Sequence, residues 1–324
     1  MPDGTLPDVA DLLSTAIVVR LPMRTRFRGI TERETMVFRG PAGWGEFGPF
    51  PEYDDAEAAA WLAAGIEAAY LGPPTPVRES VAINATVPAV PAADVAGILA
   101  RFPGATTAKV KVAEKGQTLD DDVARVAAAR EHIPIVRVDA NGGWTPDEAV
   151  TAINAIGDVE YVEQPCATVE ELAEVRRRVD VPIAADESIR RAADPFRVVE
   201  AQAADIAVLK VAPLGGMRAL LRLAEAIGLP VVVSSALDSA VGMAAGVAAA
   251  AALPDLPHAC GLGTGSLLVA DVADGFSPID GMVTPRWFDA GQAIAQQTPR
   301  VEPDRELWWR ERLTRCHALL VGTA

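Results

Sequence analysis

The chain has 324 residues, half of them apolar, and a formal net charge of −15 from 44 acidic and 29 basic side chains. This length is too great for one small domain and suits a large domain with a smaller partner. The acidity disfavours nucleic acid and membrane surfaces as partners, because both attract a basic face. The net charge does not exclude a small-molecule carboxylate substrate, since a bound cation and local lysines can make one site positive.

Cysteine and histidine are scarce, and neither forms a recognisable metal or redox motif. The cysteines have no CxxC spacing, which disfavours a disulfide framework and favours a reducing, cytoplasmic location. The acidic N-terminus lacks the basic region of a signal peptide, and the apolar stretch 240–253 is shorter than the roughly 20 residues that span a bilayer. Lysines and carboxylates therefore become the candidates for chemistry, and the oligomeric state stays unknown.

The first part of the chain has a pattern of its own. Segments TAIVVRLP, RETMVFRG and AGWGEFGPF in residues 15–50 run apolar or alternate between Gly/Pro turns, which is typical of antiparallel strands. Residues 54–70 begin with acids and carry apolar side chains at helical spacing, which predicts a helix. We expect a small α+β capping domain over residues 1–80.

From residue 81 the pattern changes to alternating strands and helices. Eight apolar runs predict the strands 80–87, 108–112, 135–140, 160–165, 182–187, 205–211, 230–235 and 258–263. Helical segments separate them, which is the pattern of a (β/α)8 barrel, here predicted over residues 81–284. Residues 285–324 contain no further β/α unit, and we expect them to return to the capping domain. The predicted fold class is α/β, a barrel with a smaller α+β domain.

A ladder of charged residues follows the barrel strands. Lys111, Asp139, Glu163, Asp186 and Lys210 each lie at the carboxyl end of an apolar run, at intervals of 23 to 28 residues. Such an interval is one β/α unit. The carboxyl ends of parallel barrel strands meet at one mouth, where these barrels carry out their chemistry, so we expect the five side chains to converge there.

The three acids of this ladder suggest a metal site. Oxygen ligands on rigid strand ends suit Mg²⁺, and Mn²⁺ is also plausible. Asp139, Glu163 and Asp186 are therefore predicted ligands, although each taken alone is more typical of an ordinary loop acid. Asn141 is placed either to support a ligand or simply to form a turn.

The lysines suggest proton transfer. Lys109 and Lys111 alternate with valines, so both point to one face of their strand, where burial and clustered cations would lower the pKa of a lysine toward that of a general base. The alternative is a pair of solvent-facing lysines. Lys210 lies four units round the barrel, roughly opposite Lys111, and its alternative role is a structural ion pair with one of the acids.

Two further segments offer hydrogen-bond donors. Ser234 and Ser235 follow the seventh strand and could receive a substrate carboxylate or carbonyl, or the SSALDS segment could cap the next helix. The glycine-rich GLGTG segment, residues 261–265, could approach an anion through its backbone amides, but such turns alone are weak evidence.

In this order and spacing, KVK, VDAN, VEQP, ADES and VLK resemble the enolase superfamily, in its muconate-lactonizing subgroup. The resemblance covers nearly the whole chain. It implies that Mg²⁺ binds Asp139, Glu163 and Asp186, and that Lys111 removes a proton next to a substrate carboxylate, with Lys210 on the opposite face. The seventh strand ends in serines, so the histidine base of the mandelate-racemase subgroup is absent. Glu187 follows Asp186 and, as the next residue of a strand, is expected to point to the other face.

Within the subgroup, RTRFRGITERE, GWGEFGPFPEYD, VLKVAPLGG and SSALDSAVG resemble the dehydratases that act on 2-succinyl-6-hydroxy-2,4-cyclohexadiene-1-carboxylate in menaquinone biosynthesis. The resemblance implies that Lys111 returns its proton to the departing hydroxyl, while Lys210 stabilises the anion over its π system. It also places Arg24, Arg26 and Arg28 in a capping-domain loop, without showing which would contact the succinyl carboxylate.

Two other functions compete with this interpretation. An N-succinylamino acid racemase or dipeptide epimerase would use the same metal, with both lysines as bases. A metal-dependent carboxylate-binding protein is the non-enzymatic alternative, but binding alone requires no base.

Overall fold

The computed structural model describes residues 6–190 and 194–322. In these ranges the strands are β1 (Ile17–Phe27), β2 (Ile30–Gly40), β3 (Gly43–Phe47), β4 (Val81–Ala82), β5 (Ala85–Val87), β6 (Thr107–Lys111), β7 (Ile135–Asp139), β8 (Val162–Glu163), β9 (Ile183–Ala185), β10 (Ile206–Leu209), β11 (Val231–Val233) and β12 (Met282–Val283). The helices are α1 (Val9–Thr15), α2 (Asp55–Leu71), α3 (Val95–Leu99), α4 (Leu119–Arg130), α5 (Pro146–Ile156), α6 (Val169–Arg176), α7 (Glu187–Arg190), α8 (Arg197–Glu200), α9 (Met217–Ile227), α10 (Ala240–Ala252) and α11 (Pro303–Gly322). None of these helices combines the length and the apolarity needed to cross a lipid bilayer.

The N-terminal unit is an antiparallel sheet, β1–β2–β3, covered by helix α2. Glycines allow this helix to approach the sheet closely. A Cβ on Gly45 of β3 would lie 2.0 Å from the carbonyl oxygen of Gly65, and one on Gly65 would lie 2.4 Å from that of Glu46. Asp54 caps the start of α2 by accepting a 2.8 Å hydrogen bond from the Glu57 amide. This arrangement is consistent with the predicted α+β capping unit.

The larger sheet contains seven parallel strands in the order β5 to β11, each beside its neighbours in sequence. Helices connect most of the successive strands, as the alternating pattern predicts. Three consecutive helices begin with the same capping box, in which a threonine and an acid three residues later bond each other's backbone amides. The pairs are Thr118 with Asp121, Thr145 with Glu148, and Thr168 with Glu171.

The predicted eighth strand is not formed, so the curled sheet is not a fully closed eight-stranded barrel. Residues 258–263 contribute only isolated parallel bridges, from Cys260 to Ile83 and from Gly261 to Ser234. The local sequence explains the difference. Pro257 precedes the segment and three glycines lie between residues 261 and 265, and such residues weaken a strand. Gly261 also allows its segment to approach Ser234 closely, since a Cβ at this position would lie 2.4 Å from the Ser234 hydroxyl.

Helix α11 packs against α2 on the N-terminal unit. The Trp309 indole donates a 2.9 Å hydrogen bond to Glu34, and the Arg312 guanidinium donates to the backbone carbonyls of Phe50 and Tyr53. The sequence analysis did not identify this helix. The predicted helical segment between β9 and β10 forms only the single turn of α8 after residue 194. The proposed domain boundaries at residues 80 and 284 stay a prediction.

A buried arginine lies inside the curled sheet, toward the amino ends of the strands. Arg137 is two residues before Asp139 on β7, on the same face, and is fully buried. Its guanidinium donates 2.8 Å to Glu160, 2.9 Å to the Tyr161 hydroxyl and 2.8 Å to the Ala259 carbonyl. His258 contacts the other carboxylate oxygen of Glu160 at 2.9 Å. Partial burial opposes ionisation of Glu160, but His258 and Arg137 hold its pKa below the ordinary value.

We expect Glu160→Gln to lower the free energy of unfolding by about 3 kcal/mol at pH 7, because the variant leaves the buried Arg137 charge uncompensated. A carboxylate whose pKa is depressed by folding stabilises the protein above its unfolded pKa, and this stabilisation is lost as the pH falls through the folded pKa. The difference between wild type and variant should therefore shrink between about pH 5 and about pH 3 in denaturant titrations.

An exposed ion pair provides the control for this prediction. Glu174 pairs with Arg178 at 2.9 Å, and its side chain is 49% exposed. Glu174→Gln should change the free energy of unfolding little at either pH. A Glu160→Gln difference that stays constant in acid would contradict a stabilising role for the Glu160 charge.

Candidate active site

Strand register brings the ladder residues together. Lys111 pairs directly with Asp139 across β6 and β7, and Asp139 pairs with Glu163 across β7 and β8. Asp186 and Lys210 follow the ends of β9 and β10. Seven of the nine predicted site residues line one cavity of about 40 Å³. They are Lys109, Lys111, Asp139, Asn141, Lys210, Ser234 and Ser235. The other two, Glu163 and Asp186, are fully buried.

The two lysines of β6 contact the acids on the neighbouring strands. The Lys109 ammonium lies 2.9 Å from one oxygen of Glu163, 3.0 Å from the other, and 3.1 Å from Asp139 Oδ2. The Lys111 ammonium lies 2.5 Å from the same Asp139 oxygen and 2.5 Å from Asn141 Oδ1. Asn141 thus orients Lys111 through this hydrogen bond. The sequence analysis had left two roles open for Asn141, support of a ligand or a place in a turn. Its φ of 46° shows that it also occupies a left-handed turn position.

A second pair of cations surrounds Asp186. Lys210 donates a 2.5 Å hydrogen bond to Asp186 Oδ2, and Arg190 donates a 2.9 Å bond to Oδ1. Arg190 also contacts Glu187 at 2.6 Å, and Glu187 accepts a 3.3 Å bond from Asn141. Sequence reasoning missed Arg190. The signal was its i,i+4 spacing from Asp186, which brings the two side chains together once the chain turns into a helix after β9.

The structure contradicts the expected orientation of Glu187. This residue lines the cavity instead of pointing to the opposite face of a strand. Strand β9 ends at Ala185, and Glu187 begins helix α7, so the alternation of side chains along a strand no longer applies.

The electrostatics distinguish the two lysines of β6. Burial disfavours the charge of Lys109, but Glu163 and Asp139 outweigh it and hold its pKa well above the ordinary value. Burial lowers the pKa of Lys111, and the neighbouring Lys109 charge lowers it further, against the opposing effect of Asp139. Lys111 therefore gives up a proton more readily than Lys109, as a general base must.

The acids differ from one another as well. Burial and the nearby Asp139 charge raise the pKa of Glu163 to about 7. Burial also opposes ionisation of Asp139 and Asp186, but Lys111 and Lys109 hold the pKa of Asp139 well below its ordinary value, and Lys210 with Arg190 lowers that of Asp186 to about 2. Glu163 therefore takes up a proton more readily than Asp139 or Asp186 does.

The predicted metal ligands are chemically suitable, since all three are carboxylates, the oxygen donors that Mg²⁺ prefers. Across residues 6–190 and 194–322, however, no three His, Cys, Asp or Glu side chains are grouped as they would be around a metal ion. Lysine and arginine groups contact each of the three carboxylates instead. Metal ligation by Asp139, Glu163 and Asp186 stays a prediction.

The serine segment after β11 caps the next helix, and the contact of Ser234 and Ser235 with a substrate stays a prediction. Ser234 and Ser235 line the cavity, whereas Ser239 is the N-cap of α10. The Ser235 hydroxyl donates a 3.0 Å bond to the Gly261 carbonyl and lies 2.6 Å from the Thr264 hydroxyl.

The capping arginines lie in a hairpin and not in an irregular loop. Arg24 and Arg26 belong to β1, and Arg28 occupies the turn before β2. Arg28 is the one of the three that lines the cavity. It lies 4.2 Å over the Phe50 ring and donates a 3.2 Å bond to the Tyr53 hydroxyl.

Comparisons with known proteins agree with this architecture. Residues 93–290 match the "Enolase C-terminal domain-like" family, and residues 18–69 match the "Enolase N-terminal domain-like" family. Among solved structures, a muconate lactonizing enzyme from Pseudomonas fluorescens in complex with muconolactone aligns with a TM-score of 0.75 at 22% identity, covering 87% of this chain and 96% of its own. The L-Ala-D/L-Glu epimerase from Bacillus subtilis aligns with a TM-score of 0.72 at 25% identity, covering 86% and 98%.

Curated relatives are much more similar in sequence. The o-succinylbenzoate synthase of Mycobacterium tuberculosis is 62% identical, with 98% of each chain covered. That of Mycolicibacterium smegmatis is 61% identical, with 97% of this chain and 99% of the relative covered. With this identity over nearly its whole length, the chain belongs to the o-succinylbenzoate synthase family of the enolase superfamily.

Proposed function

We propose that this protein is a lyase that removes water from 2-succinyl-6-hydroxy-2,4-cyclohexadiene-1-carboxylate to form 2-succinylbenzoate, as a step of menaquinone biosynthesis. The observation that carries the proposal is the 60–62% identity to o-succinylbenzoate synthases across nearly the full chain. The site supports it chemically, because it combines carboxylates, a lysine of lowered pKa and a second lysine around one cavity.

We propose that Asp139, Glu163 and Asp186 hold Mg²⁺, with Mn²⁺ as an acceptable substitute. When bound, the ion would supply positive charge to the substrate carboxylate, which acidifies the adjacent C–H and stabilises the enediolate. The donor chemistry supports this assignment, as does the position of Asp139 and Glu163 opposite each other on adjacent strands.

In this proposal Lys111 acts as both base and acid. It takes the proton from the carbon that bears the carboxylate, and the electron pair of that C–H bond moves toward the carboxylate to form the enediolate. The pair then returns to form the new ring double bond when the C–O bond breaks. Lys111 then returns the proton to the hydroxyl on the same face as the C–O bond breaks, so one water leaves and the ring becomes aromatic. Its contacts with Asp139 and Asn141 hold the ammonium in position before substrate arrives.

Lys210 acts from the other side of the ring as a fixed cation. Its hydrogen bond to Asp186 holds it at the cavity wall. Over the delocalised anion it would contribute electrostatic stabilisation without exchanging a proton.

The succinyl arm requires more room than the small cavity offers. A second cavity of about 440 Å³ shares Phe27, Arg28, Lys111 and Asn141 with the first one. We propose that the arm extends into this second cavity. Arg28 is then the candidate to contact its carboxylate, since it lines both cavities and has no acidic partner within ion-pair distance among the described residues.

An assay of the purified protein tests the reaction directly. We expect the cyclohexadiene carboxylate to be converted with a kcat/KM of about 10⁴ M⁻¹s⁻¹ or above. N-succinylamino acids should exchange their alpha proton in deuterated water slowly or not at all. The opposite ranking would establish the racemase or epimerase alternative.

Lys210 variants distinguish the same alternatives by mechanism. For dehydration Lys210 is needed as a positive charge, so Lys210→Arg should keep more activity than Lys210→Ala. For racemisation both lysines must exchange protons, and arginine cannot do so near neutral pH. Equal loss of activity in the two variants would therefore contradict the dehydratase mechanism.

A further inference from the structure

Segment 234–239, whose first four residues line the active-site cavity, contains one residue in an unusual backbone conformation. Ser234, Ser235, Ala236 and Leu237 line the active-site cavity. Leu237 has a φ of +61°, a left-handed conformation that a leucine adopts only when its surroundings enforce it. Two residues that bind this segment, Arg33 and Glu46, belong to the N-terminal unit, far away in sequence.

Arg33 of β2 binds the middle of this segment. Its side chain is 1% exposed, and its Nε donates a 3.3 Å hydrogen bond to the Leu237 carbonyl. The rest of the guanidinium donates to the carbonyls of Gly48 and Glu34 and lies 4.2 Å over the Phe50 ring. These contacts fix Arg33 on the N-terminal sheet. Its hydrogen bond then restrains Leu237.

Glu46 of β3 binds the end of the segment. Its carboxylate accepts hydrogen bonds from the Ser239 amide at 3.0 Å, the Ser239 hydroxyl at 2.5 Å and the Gly242 amide at 2.9 Å. The other oxygen accepts a 2.8 Å bond from the Thr35 hydroxyl. Glu46 thus places a buried negative charge at the N-terminus of α10, where the helix dipole favours it.

The local sequence leaves space for this contact. A Cβ on Gly242 would lie 2.6 Å from Glu46 Oε2 and 2.9 Å from the Asp238 Cβ. The glycine therefore lets a carboxylate from another part of the fold enter the first turn of α10.

We propose that Arg33 and Glu46 are positioning residues for substrate selection. By holding segment 234–239 at Leu237 and Ser239, they set the wall against which the succinyl-bearing substrate fits. The N-terminal unit would then determine which substrate binds in two ways. It could contact the substrate directly, and it would also hold barrel segment 234–239 in position. The identity of the substrate in this inference rests on the proposed function. The positioning of segment 234–239 by Arg33 and Glu46 does not depend on it.

A second glutamate of the N-terminal unit provides a matched control. Glu67 of α2 accepts a 3.0 Å bond from the Arg218 amide in the first turn of α9, and a 2.8 Å bond from the Arg218 side chain. Like Glu46, it joins the N-terminal unit to the start of a barrel helix. Unlike Glu46, which binds Ser239 two residues after the cavity-lining Leu237, Glu67 makes these hydrogen bonds outside segment 234–239.

The experiment compares Glu46→Gln, Glu67→Gln and Arg33→Lys with wild type. Glu46→Gln keeps an acceptor oxygen but removes its charge, which weakens the hydrogen bonds from Ser239 and Gly242. We expect Glu46→Gln and Arg33→Lys to raise KM for the cyclohexadiene carboxylate by roughly tenfold or more with a smaller change in kcat, since a small displacement of a substrate-contacting group has a large effect. Glu67→Gln should leave KM near the wild-type value, even if thermal stability falls equally.

Amide hydrogen exchange gives a readout that does not depend on the reaction. Peptides covering residues 234–239 should exchange faster in Glu46→Gln and Arg33→Lys than in Glu67→Gln or wild type. Unchanged exchange and KM in both variants would overturn the inference. If Glu46→Gln fails to fold, Arg33→Lys decides alone. If wild type does not convert the cyclohexadiene carboxylate, the proposed function fails, while the exchange measurement still tests the positioning.

Discussion

Substitution of Lys111 by alanine should reduce turnover by about 10³-fold or more while product binding is largely retained. The expected loss is large because in the proposed mechanism Lys111 both removes the proton and returns it, and burial together with the Lys109 charge lowers its pKa at the cavity wall. Steady-state kinetics give kcat, and calorimetric titration with 2-succinylbenzoate gives binding. Together they separate a chemical defect from a structural one.

Lys109→Ala is the informative comparison for this prediction. Lys109 lies between Glu163 and Asp139, and these acids keep it protonated. Its removal should impair the site by leaving the buried Glu163 without its ion-pair partner and Asp139 with Lys111 alone, and so weaken binding as well as turnover. An active Lys111→Ala enzyme beside an inactive Lys109→Ala enzyme would show that the base is Lys109.

Removal of divalent metal should abolish activity, and Mg²⁺ or Mn²⁺ should restore it. The reaction builds negative charge next to a carboxylate that is already negative, and a divalent cation is the strongest stabiliser of such charge. Asp139→Asn and Glu163→Gln should have the same effect without unfolding the protein, because each removes one proposed ligand charge. Activity after chelation and metal replacement, with circular dichroism of the variants, measures both parts of the prediction.

Glu187 offers a matched control for the ligand variants. It is a cavity-lining carboxylate bound to Arg190 and Asn141, and it is not a proposed ligand. Glu187→Gln should keep activity that still depends on added Mg²⁺. Full wild-type activity in excess chelator would be incompatible with the metal assignment.

The sequence predicted the parts of the site that depend on strand geometry. Parallel strands bring their carboxyl ends to one edge, so the spacing of Lys111, Asp139 and Glu163 was enough to predict that they meet. Arg190 and the orientation of Glu187 could not be predicted in this way. Both depend on where β9 ends and α7 begins, and a single residue at that boundary decides which side chains face the cavity.

The same distinction applies to the fold. Seven barrel strands were predictable from apolar runs, because a strand buried on both faces has an apolar sequence. The eighth was not, since glycines and a proline allow only isolated bridges at Cys260 and Gly261. Helix α11 was missed because buried charged residues such as Arg312 interrupt its apolar face, and their partners lie in distant parts of the chain.

The packing of α11 against the N-terminal unit has a consequence for folding while the chain is being translated. Trp309 packs edge-on against Phe47 with ring centroids 5.8 Å apart, and it belongs to the same apolar cluster as Leu12, Phe50 and Trp61. Those residues leave the ribosome long before Trp309 does. The apolar face that Trp309 covers therefore stays exposed while the rest of the chain is synthesised. A polypeptide released before residue 303 would keep that face exposed, which makes it a substrate for chaperones or a seed for aggregation.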